Sequence, residues 1–336
     1  MNGVSIIICG YNSAQTIAET LKHAQNQDIL SNDNWEVLLI NNNSTDNTEE
    51  IARNTWDDSK GSQLRIIKEE KVGLSNARIR GVKESKFDII SYVDDDNLIP
   101  SNWVSYILTV FKNKEVGVLG CTAIGKFDIE EPEWYQKEQH KLAFATGRIY
   151  KGDDFMDVTE DGLLFGAGLT MRKEIFEKLW AKNWQPLLSD RKGESQSSGG
   201  DSELTLASRL LGYKIYFTNE ISIIHWIIND RLSWERLRKV TKGFGEADVS
   251  LLPYNYYYKQ IKGNLTAVDR LRKSWAFNYF GKFISLQKCH LRRLMGQLDR
   301  EDHEILSIRL GSFLDKIWKK RAQFRQNYKI VENLLK

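Results

Sequence analysis

No stretch of this chain approaches the ~18 consecutive apolar residues that crossing a bilayer requires. The longest candidate, Ile221–Ile228, is interrupted by Ser222 and His225. The opening MNGVSIIICGYN lacks a basic leader, so it reads as a buried first strand and not as a signal peptide. Cysteine is scarce: Cys9, Cys121 and Cys289 are far apart and form no CxxC pair. That excludes a disulfide framework and a cysteine zinc site, and it points to a reducing cytoplasm. There is no internal repeat and no low-complexity tract, so a solenoid is excluded. With 41% hydrophobic and 28% charged residues, the chain is not wholly disordered either.

Net charge is nearly absent, at +3 over 336 residues. The balance hides an asymmetry. Residues 231–336 hold 23 Lys and Arg against 10 Asp and Glu, whereas residues 1–230 hold 25 against 35. Such a split suggests two parts with different neighbours.

What is present is an alternation of short apolar runs and helical patterns. Strands are expected at Val4–Cys9, Trp35–Ile40, Leu64–Ile67, Phe87–Val93, Val116–Cys121 and Lys214–Thr218, with another at Ile221–Ile224. Asn12 or Ser13 can cap a first helix carrying Ile17, Leu21 and Ala24. Helices are also expected at 73–83, 102–111, 172–180 and 202–211. Leu187–Gly200 reads as a polar loop. This order predicts an α/β fold with a mostly parallel sheet flanked by helices. Ligands of such sheets sit at the carboxyl ends of the strands. After about residue 250 the sequence turns basic, aromatic and helical, with Leu306, Leu310, Phe313, Leu314 and Ile317 at helical spacing.

Asp94-Asp95-Asp96 closes an apolar strand. In an extended segment residues two apart point the same way, so Asp94 and Asp96 can face one site while Asp95 faces away. Crowded carboxylates call for a counter-cation, and a hard divalent ion partly held by phosphates suits them. A solvated acidic turn is the alternative.

The segments SIIICGYNSAQTI, EVLLINNNSTDNT, GLSNARIRG and IISYVDDDN, followed in order by FGAGLTMRKE, SSGGDSEL and IIHW, resemble family 2 glycosyltransferases over roughly residues 3–245. The resemblance implies a GT-A fold in residues 1–245, with a nucleotide-sugar-binding half (1–121) and an acceptor and catalytic half (122–245). Residues 246–336 would be a helical basic extension. It implies an inverting transfer of a sugar, hexosyl or related, from a UDP-, dTDP- or GDP-linked donor to a glycan or lipid-linked acceptor. It also implies a DxD motif with Mn²⁺ or Mg²⁺.

Carried over residue by residue, Asp94 would lie near the ribose or metal and Asp96 would be the direct metal ligand, with Asp95 beside them on the donor side. Gly10, Tyr11 and Asn12 would hold the base; a packed rim aromatic is the other reading of Tyr11. Asn41 and Asn42 stand where the family usually carries Asp against the nucleotide. Arg78 would face the nucleotide pocket, where a guanidinium suits phosphate. Gly166, Ala167 and Gly168 would form the loop beneath donor and acceptor sugars. Asp201 would be the catalytic base, although it also reads as an N-cap. Glu203 is the second acid there, or a first-turn dipole partner. His225 would complete the metal site or else be a core histidine, and Arg231 could meet the diphosphate.

The basic C-terminal segment allows peripheral association with the inner face of the membrane; packing on the catalytic domain is the alternative. No motif supports nucleic-acid binding. Two competing functions remain. A sugar-nucleotide nucleotidyltransferase would want a Gly-rich, Lys- or Arg-bearing loop where Gly10-Tyr11-Asn12-Ser13 stands. A non-catalytic adaptor would bind membrane or nucleic acid on the same fold.

Overall fold

A computed structural model describes residues 3–29, 33–60, 63–146, 150, 152–188 and 199–336. Its contacts group into two units: residues 1–178 with 212–231, and residues 179–211 with 232–336. The first unit is an α/β sheet domain. In chain order it contains β1 (Val4–Gly10), α1 (Ile17–Gln25), β2 (Trp35–Asn41), α2 (Thr48–Thr55), β3 (Leu64–Lys68), α3 (Leu74–Glu84), β4 (Ile89–Asp94), β5 (Asn97–Leu98), α4 (Trp103–Val110) and β6 (Val116–Phe127). There follow α5 (Glu138–Ala143), β7 (Phe155–Asp157), β8 (Thr170–Arg172), α6 (Lys173–Ala181) and β9 (Lys214–Ile227).

The sheet order among the described residues is β3-β2-β1-β4-β8-β6-β9-β5, with β7 paired to β9. β1 to β4 run parallel. The near-continuous apolar runs of β1, β2 and β4, such as Ile6-Ile7-Ile8, are buried on both faces, as a sheet covered by helices on each side requires; the edge strand β3 is only partly buried. The chain moves outward from β1 to β3 and then crosses back to place β4 on the other side of β1. The carboxyl ends of β1 and β4 are therefore a topological switch point, the place where open α/β sheets bind ligands.

Local reading of the apolar runs missed three things here. The short antiparallel strand β8 slots between β4 and β6. The two runs expected at Lys214–Thr218 and Ile221–Ile224 are one 14-residue strand. β6 extends six residues beyond its expected end, because a register shift at Cys121/Thr122 lets it follow β9 to Phe127.

The second unit is helical: α7 (Gly200–Leu210), α8 (Trp234–Ile261), α9 (Ala267–Leu271), α10 (Trp275–Leu294), α11 (Arg300–Lys319) and α12 (Phe324–Glu332). α8 meets α11 at Gly245, where a Cβ would lie 2.0 Å from Ser312 Oγ and 2.2 Å from the Arg309 carbonyl. Only glycine lets the two helices approach this closely. Asp248 locks the crossing by accepting from Arg309 Nε and Nη2 at 2.9 and 3.0 Å. α7 belongs to this unit, although the sequence grouped its residues with the sheet. Most of the expected loop at Leu187–Gly200 lies outside the described residues. No helix among the described residues is long and apolar enough to cross a membrane.

Candidate active site

The register fixes the frame of the site. Cys9 pairs with Asp94 across β1 and β4, and Gly10 pairs with Asn41 across β1 and β2. The loop after Gly10, the end of β2 and the acidic run therefore share one edge of the sheet. β4 stops at Asp94, and Asp95 and Asp96 form a turn before β5. The acidic run is thus not an extended segment, and strand alternation does not set its directions. The turn separates them instead. Asn97 pins it, accepting from the Asp94 N–H at 3.2 Å and donating from Nδ2 to Asp96 Oδ1 at 3.2 Å.

Asp95 faces away from Asp96 and towards the β1–α1 loop. The Ser13 hydroxyl donates to Asp95 Oδ2, and Thr20 Oγ1 donates to the Asp95 carbonyl at 3.0 Å. Enclosure of this carboxyl, followed by the nearby Asp96 charge, pushes its pKa up to about 6, because both effects penalise the ionised form. Ser13 also accepts from the Tyr11 N–H at 3.1 Å and donates its own N–H to Thr48 Oγ1 at 2.8 Å. Its hydroxyl is therefore not the cap of α1. Asp95 is a brace that shapes the Gly10–Ser13 loop.

Asp96 is almost fully buried. Arg231 donates through Nη1 to its Oδ2, and His225 Nε2 lies 3.5 Å from its Oδ1. β9 delivers His225 opposite Asn97 of β5 and beside Gly125 of β6. Burial works against a charged imidazole here, but the Asp96 carboxylate outweighs it and raises the His225 pKa. His225 Nδ1 is buried without a hydrogen-bond partner among the described residues.

The asparagines that replace the expected acids point inward. Asn42 donates to the Glu69 and Lys71 carbonyls at 3.0 and 2.8 Å and accepts from the Gly73 N–H at 2.8 Å. It holds the loop before α3, with both amide hydrogens used. Asn41 donates to Glu49 and accepts from the Ser44 N–H. Asn12, at φ 52°, accepts from the Thr45 N–H at 2.8 Å, so the first two strand-end loops are tied together. Tyr11 is the exposed member, 51% accessible, so it is not a packed rim aromatic and has a free face for a ring. Arg78 lies on α3 with its guanidinium 5.5 Å from the Tyr92 ring, two residues before Asp94.

β8 runs antiparallel to β4, and the Leu169 carbonyl accepts from the Tyr92 N–H at 2.9 Å. The preceding Gly166, Ala167 and Gly168 therefore run beside the end of β4. Gly168 has φ +73°, and a Cβ there would meet Cys121 Sγ at 2.8 Å.

The two remaining acids belong to the helical unit. α7 begins two residues earlier than expected, with Gly199 as its N-cap in the left-handed region. Asp201 is therefore not the cap. It is half-buried in the first turn, and its Oδ1 accepts from the Ser202 N–H at 2.8 Å. Glu203 is fully buried. Its Oε1 accepts from the Leu187 N–H and the Tyr254 hydroxyl, both at 2.7 Å, and its Oε2 from the Leu188 N–H at 2.9 Å. That carboxylate ties the chain before α7 to α8; it is neither a surface acid nor a simple dipole partner. The bonds of Ser13 to Asp95 and of Glu203 to its partners left no sequence signal, because they join residues far apart in the chain; Asn97 acts locally, on Asp94 and Asp96.

An ion at Asp96 would find a sparse protein donor set. Among the described residues no group of three or more His, Cys, Asp or Glu could hold one. One carboxylate and one imidazole with a buried, unpartnered nitrogen do fit a cation that takes most of its ligands from substrate phosphates, as Mg²⁺ does.

Residues 5–180 match the family described as glycosyl transferase family 2. The chain is 30% identical over 146 residues to dolichol-phosphate mannosyltransferase of Pyrococcus furiosus, covering 44% of this chain and 40% of that protein. It is 33% identical over 104 residues to cholesterol galactosyltransferase of Borreliella burgdorferi, covering 31% and 28%. It is also 26% identical over 113 residues to poly-beta-1,6-N-acetyl-D-glucosamine synthase of Staphylococcus aureus, covering 34% and 26%. These matches thus span well under half the length of the curated relatives. Residues 1–349 of S. aureus TarS, solved in complex with UDP, superpose with a TM-score of 0.50 at 14% identity, covering 96% of this chain and 91% of that one; this likeness is of fold, the GT-A fold. With more than half its length matched by the family, the chain belongs to glycosyltransferase family 2.

Proposed function

We propose that this chain is a metal-dependent, inverting glycosyltransferase of the cytoplasm, moving a sugar from a nucleotide-linked donor to an acceptor hydroxyl in polysaccharide or glycolipid assembly. The observation that carries the reading is the meeting of the Gly10–Ser13 loop, the end of β2 and the Asp94–Asp96 turn at the switch point, with His225 and Arg231 both on Asp96. Tyr11 stacks on the base. Arg231 and Arg78 supply positive charge for the diphosphate. Asp96 and His225 would hold the divalent ion, which when bound neutralises charge growing on the leaving phosphate.

An acceptor hydroxyl is too weak an acid to attack unaided, so a carboxylate removes its proton as the new bond forms. Asp201 is assigned that role by its place in the motif order and by its half-buried position at a helix start. A base on the sugar face opposite the leaving group gives inversion in one step. The test is a screen of UDP-, dTDP- and GDP-sugars for transfer and hydrolysis, with wild type, Asp96→Asn and Asp201→Asn. Asp201→Asn should lose roughly 10²–10⁴-fold in rate while still binding nucleotide, and product NMR should show the inverted anomer. Asp96→Asn should lose activity and metal response together. A retained anomer, or near-normal turnover in Asp201→Asn, would overturn the mechanism. Activity in excess EDTA would overturn the metal.

A further inference from the structure

α10 packs on α11 through one face. Trp275 and Tyr279 lie against Trp318, with ring centroids at 5.6 and 5.8 Å. Lys282 Nζ sits 5.1 Å from the Phe313 ring centroid, and Cys289 is buried beside Ser307. At 3.6 residues per turn these positions form one stripe. Phe277, Phe280, Ile284, Leu291 and Met295 form a second stripe on the opposite side. Every one of them is exposed, Phe280 to 63% and Leu291 to 53%. A helix that has already packed one face has no structural need for a second apolar face in water.

The charges around this stripe narrow what covers it. Trp275–Leu294 contains Lys282, Lys288, Arg292 and Arg293 and no acidic residue. At 3.6 residues per turn Lys288 and Arg292 border the apolar stripe along one side. A second copy docking through a two-fold axis would set these cations against each other with no acid on the helix to meet them. The helix is too polar to span a bilayer. An apolar stripe with phenylalanines, bordered by cations, fits a helix lying in the plane of an anionic lipid surface. We propose that α10 is a membrane-docking helix that binds anionic bilayers through Phe277, Phe280, Ile284, Leu291 and Met295, with Lys288 and Arg292 meeting the headgroups.

The test is co-sedimentation of the 336-residue chain with phosphatidylcholine vesicles and with vesicles that also contain phosphatidylglycerol. The wild type should pellet with the mixed vesicles, weakly with the neutral ones, and less as salt rises. Phe280→Asp/Ile284→Asp and Lys288→Glu/Arg292→Glu should each weaken apparent binding by at least about tenfold. Circular dichroism of both variants should match the wild type, since all four side chains face solvent; if the aspartate pair unfolds, Ile284→Asn carries the same test. Equal pelleting of wild type and the apolar variant, or no pelleting of the wild type, overturns the proposal. A concentration-dependent dimer in sedimentation velocity that the apolar variant abolishes gives the face to a second copy and overturns it too.

Discussion

Replacing Glu203 by glutamine separates a structural carboxylate from a catalytic one. Among the described residues the native carboxylate receives three donors, from Leu187, Leu188 and Tyr254. Tyr254 is relayed in turn from Trp184 Nε1 at 2.9 Å, and burial followed by the Glu203 charge holds the Tyr254 phenol protonated, so it continues to donate. A glutamine oxygen in place of Oε1 keeps two of the three bonds. Its NH₂ group then faces the Leu188 N–H, donor against donor. One buried N–H loses its acceptor and two bonds lose their charge, a cost of about 2–3 kcal/mol. In a chain of this size that lowers the melting temperature by about 3–4 °C. Glu203→Ala orphans all three donors and should cost roughly 3–6 kcal/mol. The assay is thermal denaturation of both variants beside turnover well below their melting points. Turnover of the folded glutamine variant should stay near wild type. A glutamine variant that melts like wild type but loses about a hundredfold or more in rate would refute the structural reading and make Glu203 the base.

Asn42→Asp should destabilise the chain by about 2 kcal/mol, because a carboxylate would face the Glu69 and Lys71 carbonyls to which the amide now donates; urea denaturation at wild-type stability would contradict this. Asp269 accepts from Lys259 Nζ at 2.9 Å and from the Thr266 hydroxyl at 2.7 Å, and these bonds hold its pKa near 2, below the ordinary ~3.9. A depressed carboxylate stabilises the fold above its unfolded pKa and loses that contribution as pH falls through the folded one. The stability difference between wild type and Asp269→Asn should therefore be constant above about pH 4 and shrink towards about pH 2, and a difference independent of pH in denaturation curves would rule it out.

The apolar β-branched runs by themselves determined where β1 to β4 lie; those of β1, β2 and β4 bury both faces of a parallel strand, and the edge strand β3 is partly buried. The order of those runs also put Asp94–Asp96 at their carboxyl ends, beside the end of β1. The second acidic region was legible as a motif but not as a geometry. Nothing local marks Glu203 as buried, because its donors come from 15 to 51 residues away. The same holds for Asn42, which looks like a nucleotide contact in the sequence and is spent on a loop 27 to 31 residues downstream. The directions of the three aspartates were decided by a turn that Asn97 pins and by Ser13, His225 and Arg231 arriving from other strand ends. The merger of two apolar runs into β9 follows from pairing with β6 across a register shift. In the helical region the sequence shows an amphipathic, basic stretch, but its period cannot say which apolar positions are packed. Only the contact of α10 with α11 divides them into a buried stripe and one left facing solvent, because long-range packing has no signature in the spacing of residues along one helix.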